Sequence, residues 1–211
     1  MTLQAHALCC IRGERQLFAS VDFKLIPGDA MRVAGTNGSG KTSLLRMLCG
    51  LSAPANGHIS WHGLDIRTHR EEFARDLLYL GHANGVKDDL IAWENVVINA
   101  TLSGHPVSQD EAYRALDQLG LTHAADLPTQ SLSQGQRKRV AMARLQFASN
   151  TPLWILDEPF TALDHSAVAT LCATISAHLS RGGMVVYTTH QEISLGAGRA
   201  VTLNLTQEPV C

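Results

Sequence analysis

The chain has 211 residues, a length that suits one α/β domain, and we expect that domain to span residues 1–205 with a short tail over 206–211. Its 17 Lys and Arg nearly balance 19 Asp and Glu, and 45% of its residues are hydrophobic. This composition excludes a disordered chain and a strongly basic nucleic-acid coat, so no nucleic-acid partner is expected.

The sequence contains no continuous apolar run of about 18 residues, the length that a membrane-spanning helix needs. Its N-terminus also lacks the basic flank, apolar run and cleavage site of a signal peptide. We therefore expect the chain to stay in the cytosol unless a partner holds it. The five cysteines show no C-x-x-C spacing and are expected to be buried or idle thiols.

The N-terminal part of the chain has the pattern of an antiparallel sheet. Apolar stretches alternate over residues 3–34, with a turn at Pro27-Gly28-Asp29, and residues 57–66 add another short strand. His58 and His62 have a spacing that would chelate a metal on a helix. Because a strand separates such positions by about 13 Å, we expect them not to share an ion.

A strand over residues 30–34 leads into a glycine-rich turn, and a helix is predicted from Lys41 to the region of Gly50 and Pro54. Residues 90–119 are mostly helical by their apolar spacing, with a loop at 103–106. We interpret this region as an inserted helical lobe, covering roughly residues 83–150.

The last part of the chain alternates strands and helices in the way that builds a parallel sheet. The predicted elements are a strand at 153–156, a helix at 165–180, a strand at 184–188 and a last strand near 200–205.

A phosphate-binding loop is predicted between the strand at 30–34 and the helix that follows it. The run Gly35-Thr36-Asn37-Gly38-Ser39-Gly40-Lys41-Thr42 fits the G-x-x-x-x-G-K-[ST] pattern in the required context. Its glycines let backbone N–H groups converge on phosphate oxygens at a helix N-terminus. Lys41 would reach the β and γ phosphates, and Thr42 would bind Mg²⁺.

Two carboxylates follow the short apolar strand at 153–156. Ligands bind at the carboxyl ends of the strands in open α/β sheets, so Asp157 is a candidate magnesium ligand. Glu158 is the candidate general base that polarises the attacking water.

A third motif, Leu132-Ser133-Gln134-Gly135-Gln136, precedes a helix and resembles the signature of ATP-binding cassette (ABC) proteins, Leu-Ser-Gly-Gly-Gln. Ser133 and Gly135 would place a hydroxyl and a bare backbone amide near a γ-phosphate. The basic run that follows, Arg137-Lys138-Arg139, is interpreted as a solvated helix face.

The resemblance covers essentially residues 1–205 and implies a P-loop NTPase of the ABC type, with an N-terminal antiparallel β subdomain and an inserted helical subdomain. It implies ATP and Mg²⁺ as ligands, with the P-loop through Ser43 contacting the nucleotide. Asp164, in Thr161-Ala162-Leu163-Asp164, resembles the loop that crosses between subunits. His190 resembles the switch histidine at the γ-phosphate. Since the chain has one copy of each motif, the resemblance implies a dimer that sandwiches two ATP molecules.

Two positions depart from the family pattern. His82 stands where the family has a glutamine, and we expect it to act through water or by hydrogen bonding near the γ-phosphate. Arg12 stands where an aromatic residue stacks on adenine, and an arginine plane can also stack on a base.

Within the family, three segments resemble the cassettes of haem export in cytochrome c biogenesis: residues 79–82, 87–95 and 154–164. This resemblance implies an ATP-hydrolysing subunit on the cytoplasmic face of the bacterial inner membrane. Its partners would be integral permease subunits and, indirectly, a periplasmic haem-handling chaperone. The alternatives are the ATPase of another ABC exporter and a soluble ABC ATPase of iron–sulfur cluster assembly.

The resemblance also implies a docking surface for the permease, between the His82 loop and the helices at 90–119. Trp93, Val96 and Val97 lie there in the sequence, and both permease contact and ordinary core packing are open to them.

Overall fold

The computed structural model describes residues 1–205 and contains two sheets and a helical lobe. The strands are β1 (Leu3–Arg12), β2 (Arg15–Leu25), β3 (Asp29–Ala34), β4 (Asn56–Trp61), β5 (Leu64–Asp65), β6 (Leu77–Leu80), β7 (Leu153–Leu156), β8 (Met184–Thr188) and β9 (Arg199–Asn204). The helices are α1 (Lys41–Leu48), α2 (Arg70–Arg75), α3 (Ala92–Leu102), α4 (Gln109–Gln118), α5 (Gln134–Met142), α6 (Arg144–Phe147) and α7 (His165–Ser180). None of these helices is both long and apolar enough to cross a bilayer.

The antiparallel sheet predicted near the N-terminus is present, with strand order β2-β1-β4-β5. The prediction was wrong for β3, the strand after the turn at 27–29. The range 3–34 placed it in the antiparallel sheet, but it pairs in parallel with β8 and β9. His62 also differs from expectation: it lies in the turn after β4 with a φ of 54°, and only His58 is in the strand.

The second sheet has the order β6-β7-β8-β3-β9, and all of its pairs are parallel. The predicted strand at 153–156, helix at 165–180 and strand at 184–188 are confirmed with the same bounds. β6 was not predicted, because periodicity does not separate so short an apolar run, Leu77–Leu80, from the end of the helix that precedes it. Because the strands are parallel, the ends of β3, β7 and β8 lie at one edge of the sheet.

Three apolar clusters hold the layers together. One lies between the two sheets around α1, a second joins the other face of the parallel sheet to α7, and a third forms the inside of the helical lobe. The predicted helical lobe is present as α3 and α4, with the expected loop between them, followed by α5 and α6. At the start of α4, Ser108 and Glu111 form a capping box.

An aromatic stack closes the amino-terminal side of the parallel sheet. The ring of His178, on α7, lies parallel to the indole of Trp154 on β7, with 3.8 Å between ring centroids. A Cβ atom at Gly183 would lie 2.2 Å from His178 Nε2, so this glycine leaves the space for the imidazole. Burial lowers the pKa of His178 to about 4, because the charged ring would lose its hydration.

This buried imidazole should make folding sensitive to acid. Its pKa is lower in the folded state than in the unfolded state, so between pH 6.5 and about 4 only the unfolded chain takes up the proton. The free energy of unfolding should therefore fall with pH across this window, by up to about 1.4 kcal/mol per pH unit from this residue. In His178→Phe, which keeps an aromatic ring, urea titrations at pH 7.5 and 5 should show a smaller loss of stability than wild type. His58→Phe, at an exposed strand position, is the control; equal acid sensitivity in all three proteins would contradict the prediction.

Candidate functional site

The P-loop joins the end of β3 to the start of α1. Gly38 and Gly40 have φ values of 80° and 98°, in the left-handed region that favours glycine, and Gly40 is the N-cap of α1. A Cβ atom at Gly35 would lie 2.5 Å from Ser39 Oγ and 2.9 Å from the Leu205 carbonyl oxygen. These glycines let the chain make a tight turn at the helix N-terminus.

Lys41 lies at the first position of α1, and its ammonium group is held against the loop. Nζ donates to the carbonyl oxygens of Gly35 at 2.9 Å and Thr36 at 3.2 Å. Ser39 is buried, and its N–H donates to the Thr36 carbonyl. The loop is therefore braced by its own backbone, with its cation beside the positive end of the helix.

One cleft of ≈ 450 Å³ brings most of the predicted site residues together. Its lining comprises Arg12, Leu17, Asn37, Gly38, Gly40, Lys41, Thr42, Ser43, His82, Asp157, Glu158 and His190. Both positions that depart from the family pattern, Arg12 and His82, therefore lie in the same cleft as the P-loop. Leu17 is the one lining residue that the sequence analysis did not single out; its position on β2 gave no local signal.

Asp157 is 1% exposed and directly follows β7. Its Oδ1 accepts a hydrogen bond of 2.8 Å from the Thr188 hydroxyl, whereas the buried Oδ2 has no hydrogen-bond partner among the described residues. A buried carboxylate oxygen without a donor is suited to a hard cation, and Thr42 offers a hydroxyl in the same cleft. The residues present thus fit a magnesium ion.

Glu158 has a φ of 50°, in the left-handed region that residues other than glycine rarely adopt. Its Oε1 lies 3.3 Å from His190 Nε2, and its Oε2 accepts a hydrogen bond of 3.3 Å from the Thr161 hydroxyl. The Glu158 side chain is only 15% exposed, so its carboxylate is held between two polar partners at the edge of the cleft.

The signature motif lies outside the cleft lining. Ser133 is the N-cap of α5 and accepts a hydrogen bond of 3.2 Å from Gln136 N–H, while Gln136 Oε1 accepts one from Ser133 N–H. Asp164 is the N-cap of α7 and lies 3.0 Å from Arg139. The structure therefore does not bring Ser133, Gly135 or Asp164 to the P-loop of the same chain.

The basic run after the signature was wrongly interpreted as a solvated face. Lys138 is 5% exposed, Arg137 pairs with Asp88 at 2.8 Å, and Arg139 pairs with Asp164. The helical period could have revealed Lys138, because it lies three and four positions before the buried Ala141 and Met142.

A groove separates the helical lobe from the sheets. It is lined by Cys49, Gly50, Leu51, Ile66, Arg70, Phe73, Ala74, Arg75, Leu77, Tyr79, Leu102, Ser103, Gly104 and Arg144. Leu51 and Leu102 expose 53% and 81% of their surface there. Val96, by contrast, is 1% exposed inside the lobe, so of the two alternatives it takes ordinary core packing. Trp93 and Val97 are partly buried and pack against the same cluster.

Comparison with known proteins identifies the family of the chain. Residues 18–161 match the family model described as "ABC transporter". Two solved structures share the fold at less than 25% identity: an ABC transporter ATP-binding protein from Pyrococcus furiosus, described as putative (TM-score 0.81, 23% identity, 97% of this chain and 98% of that one), and a dimeric ATP-binding cassette in a post-hydrolysis state bound to ADP and Pi (TM-score 0.76, 22% identity, 90% and 88%).

Curated relatives are much more similar and match nearly end to end. Those from Dechloromonas aromatica and Nitrosospira multiformis are each 51% identical, over 96% and 97% of this chain and 99% of each relative. A relative from Pseudomonas aeruginosa is 45% identical over 95% of this chain and 98% of its own. All three are named cytochrome c biogenesis ATP-binding export protein CcmA. With the P-loop, the paired carboxylates and the signature helix in place, the chain belongs to the ATP-binding cassette family of ABC transporters and, within it, to the CcmA group.

Proposed function

We propose that the chain is the ATP-hydrolysing subunit of a membrane export complex that serves the haem step of cytochrome c maturation. The observation that carries the ATPase function is the single cleft in which the P-loop faces Asp157, Glu158 and His190. The near-full-length relatives support the assignment to cytochrome c biogenesis.

In this proposal the P-loop binds the phosphates of ATP, and Arg12 covers the base at the open end of the cleft. Thr42 and Asp157 would hold Mg²⁺, whose charge offsets that of the β and γ phosphates when it is bound. Glu158 accepts the proton of the attacking water as oxygen bonds to the γ-phosphorus and the bond to ADP breaks. His190 and His82 lie beside the γ-phosphate, where His190 also orients Glu158 through its 3.3 Å contact.

The remaining elements of the proposal concern partners. Ser133, Gly135 and Asp164 lie away from the P-loop of their own chain, so we assign them to the site of a second copy. The groove beside the helical lobe, with exposed Leu51 and Leu102, is the surface that we assign to an integral permease subunit. Such docking would hold the chain as a peripheral protein at the cytoplasmic face of the inner membrane, with any periplasmic haem chaperone reached only through the permease.

Removal of the P-loop cation should abolish most nucleotide binding. A charge-assisted hydrogen bond contributes about 1.5–3 kcal/mol, so Lys41→Ala should weaken ATP binding roughly 10- to 100-fold. Calorimetric titration with ATP measures the loss of binding, and a phosphate-release assay measures the loss of hydrolysis. Lys24→Ala, at an exposed position of β2, is the control. Turnover of the Lys41 variant within a few-fold of wild type would contradict the assignment of the loop.

Replacement of the candidate general base should separate binding from hydrolysis. Glu158→Gln keeps the shape and the Thr161 contact but cannot accept the proton, so kcat should fall by about 10²–10⁴. Binding of ATP should remain, and size-exclusion chromatography should show a nucleotide-dependent dimer. The control is Glu71→Gln, on the exposed side of α2. A kcat near the wild-type value in Glu158→Gln would assign the base elsewhere.

The two-copy site can be tested by complementation. Ser133→Asp retains an N-cap for α5 but places a negative charge where the γ-phosphate of the partner's ATP would bind. Alone, this variant and Lys41→Ala should both be inactive. In an equal mixture, half of the dimers are mixed and each contains one intact composite site, so activity should recover to about a quarter of wild type. Full activity of a strictly monomeric preparation would overturn the two-copy site.

A further inference from the structure

A second cavity lies behind the catalytic carboxylate, on the side away from the P-loop. Its volume is ≈ 300 Å³, and its lining comprises His82, Asn84, Gln134, Arg137, Lys138, Glu158, Thr161 and Ala162. Only His82 and Glu158 line both this cavity and the nucleotide cleft. The Glu158 side chain is thus part of the wall between them.

Lys138 contributes a buried cation to this cavity. It lies on α5, five positions after Ser133, and is 5% exposed. A buried ammonium group is costly unless opposite charges face it. The charges that act on it here are those of Asp157 and Glu158. Its neighbour Arg137 is already paired with Asp88 at 2.8 Å, so of these two cations in the lining it is Lys138 whose charge acts on Glu158, which lines the same cavity.

The two carboxylates, in turn, lie where a nearby positive charge would stabilise them. Asp157 and Glu158 are consecutive, and both are largely buried, so their negative charges repel each other in a region of low dielectric. On the P-loop side, Lys41 is hydrogen-bonded to Gly35 and Thr36, not to either carboxylate. Burial lowers the pKa of Lys138, whereas the two carboxylates oppose that shift.

We propose that Lys138 is a positioning residue for Glu158: from the second cavity, its ammonium group attracts the carboxylate and restrains its orientation toward the nucleotide cleft. His190 and Thr161 each contact one oxygen of Glu158, and Lys138 adds a positive charge from the second cavity, which Thr161 also lines. Lys138 lies on α5, the helix that begins at the signature motif. It therefore also makes the geometry of Glu158 depend on the position of the helical lobe in the same chain. This inference rests on the proposed role of Glu158 as general base.

The test uses the full chain, with its membrane subunit if wild-type turnover requires it. Lys138→Met removes the charge and keeps the length of the side chain, and Lys138→Arg keeps the charge. We expect ATP affinity within about threefold of wild type in both, since neither change touches the P-loop. The kcat of Lys138→Met should fall by about tenfold or more, and Lys138→Arg should recover most of it. Lys24→Met is the matched control on an exposed lysine.

A double-mutant cycle with Glu158→Gln shows whether Lys138 acts through Glu158. In the Glu158→Gln background, Lys138→Met should change single-turnover hydrolysis by less than about threefold. Equal losses in both backgrounds would overturn the proposal, and so would an unchanged kcat in the single variant. Removing one of several buried opposite charges can lower Tm, so kcat is compared at a temperature at which thermal melting shows every variant to be folded. Lys138→Gln is the second variant if Lys138→Met is insoluble. Absence of turnover in wild type would instead refute the proposed ATPase function.

Discussion

One hydroxyl group joins the ends of two strands, β7, which Asp157 and Glu158 follow, and β8, which His190 follows. Thr188, the last residue of β8, donates to Asp157 Oδ1 at 2.8 Å and accepts a hydrogen bond of the same length from Glu158 N–H. It therefore fixes the carboxylate that would face the metal and the backbone of the candidate base with a single buried atom. Because β8 also pairs with β3, the same contact sets the distance from these groups to the P-loop.

The guanidinium group of Arg139 likewise joins two separate elements of the chain. Arg139 Nη1 donates to the Leu119 carbonyl oxygen at 3.3 Å, at the end of α4, and Nη2 lies 3.0 Å from Asp164 at the start of α7. The signature helix is thereby attached both to the helical lobe and to the loop that follows Glu158. A displacement of the lobe would therefore move residues 161–164, because the charged hydrogen bond between Arg139 and Asp164 connects the two.

Much of the site could be predicted from sequence because its parts depend on local order along the chain. The P-loop needs a strand before it and a helix after it, and Asp157 and Glu158 need only follow a buried strand. The misreading of Lys138 has the opposite cause. A lysine is exposed in most proteins, and what buries this one is the tertiary contact of α5 with the carboxyl edge of the sheet. Likewise, β3 was partly misplaced because only non-local pairing decides which sheet a strand joins.

The tight contact beneath the signature motif has a practical consequence. A Cβ atom at Gly135 would lie 2.6 Å from the Ala162 carbonyl oxygen, closer than a methyl group can approach. A residue of any size at position 135 would act as a wedge that separates the first turn of α5 from the loop after Glu158. Position 135 thus offers a steric means of separating the signature motif from the loop after Glu158 without changing any charged residue.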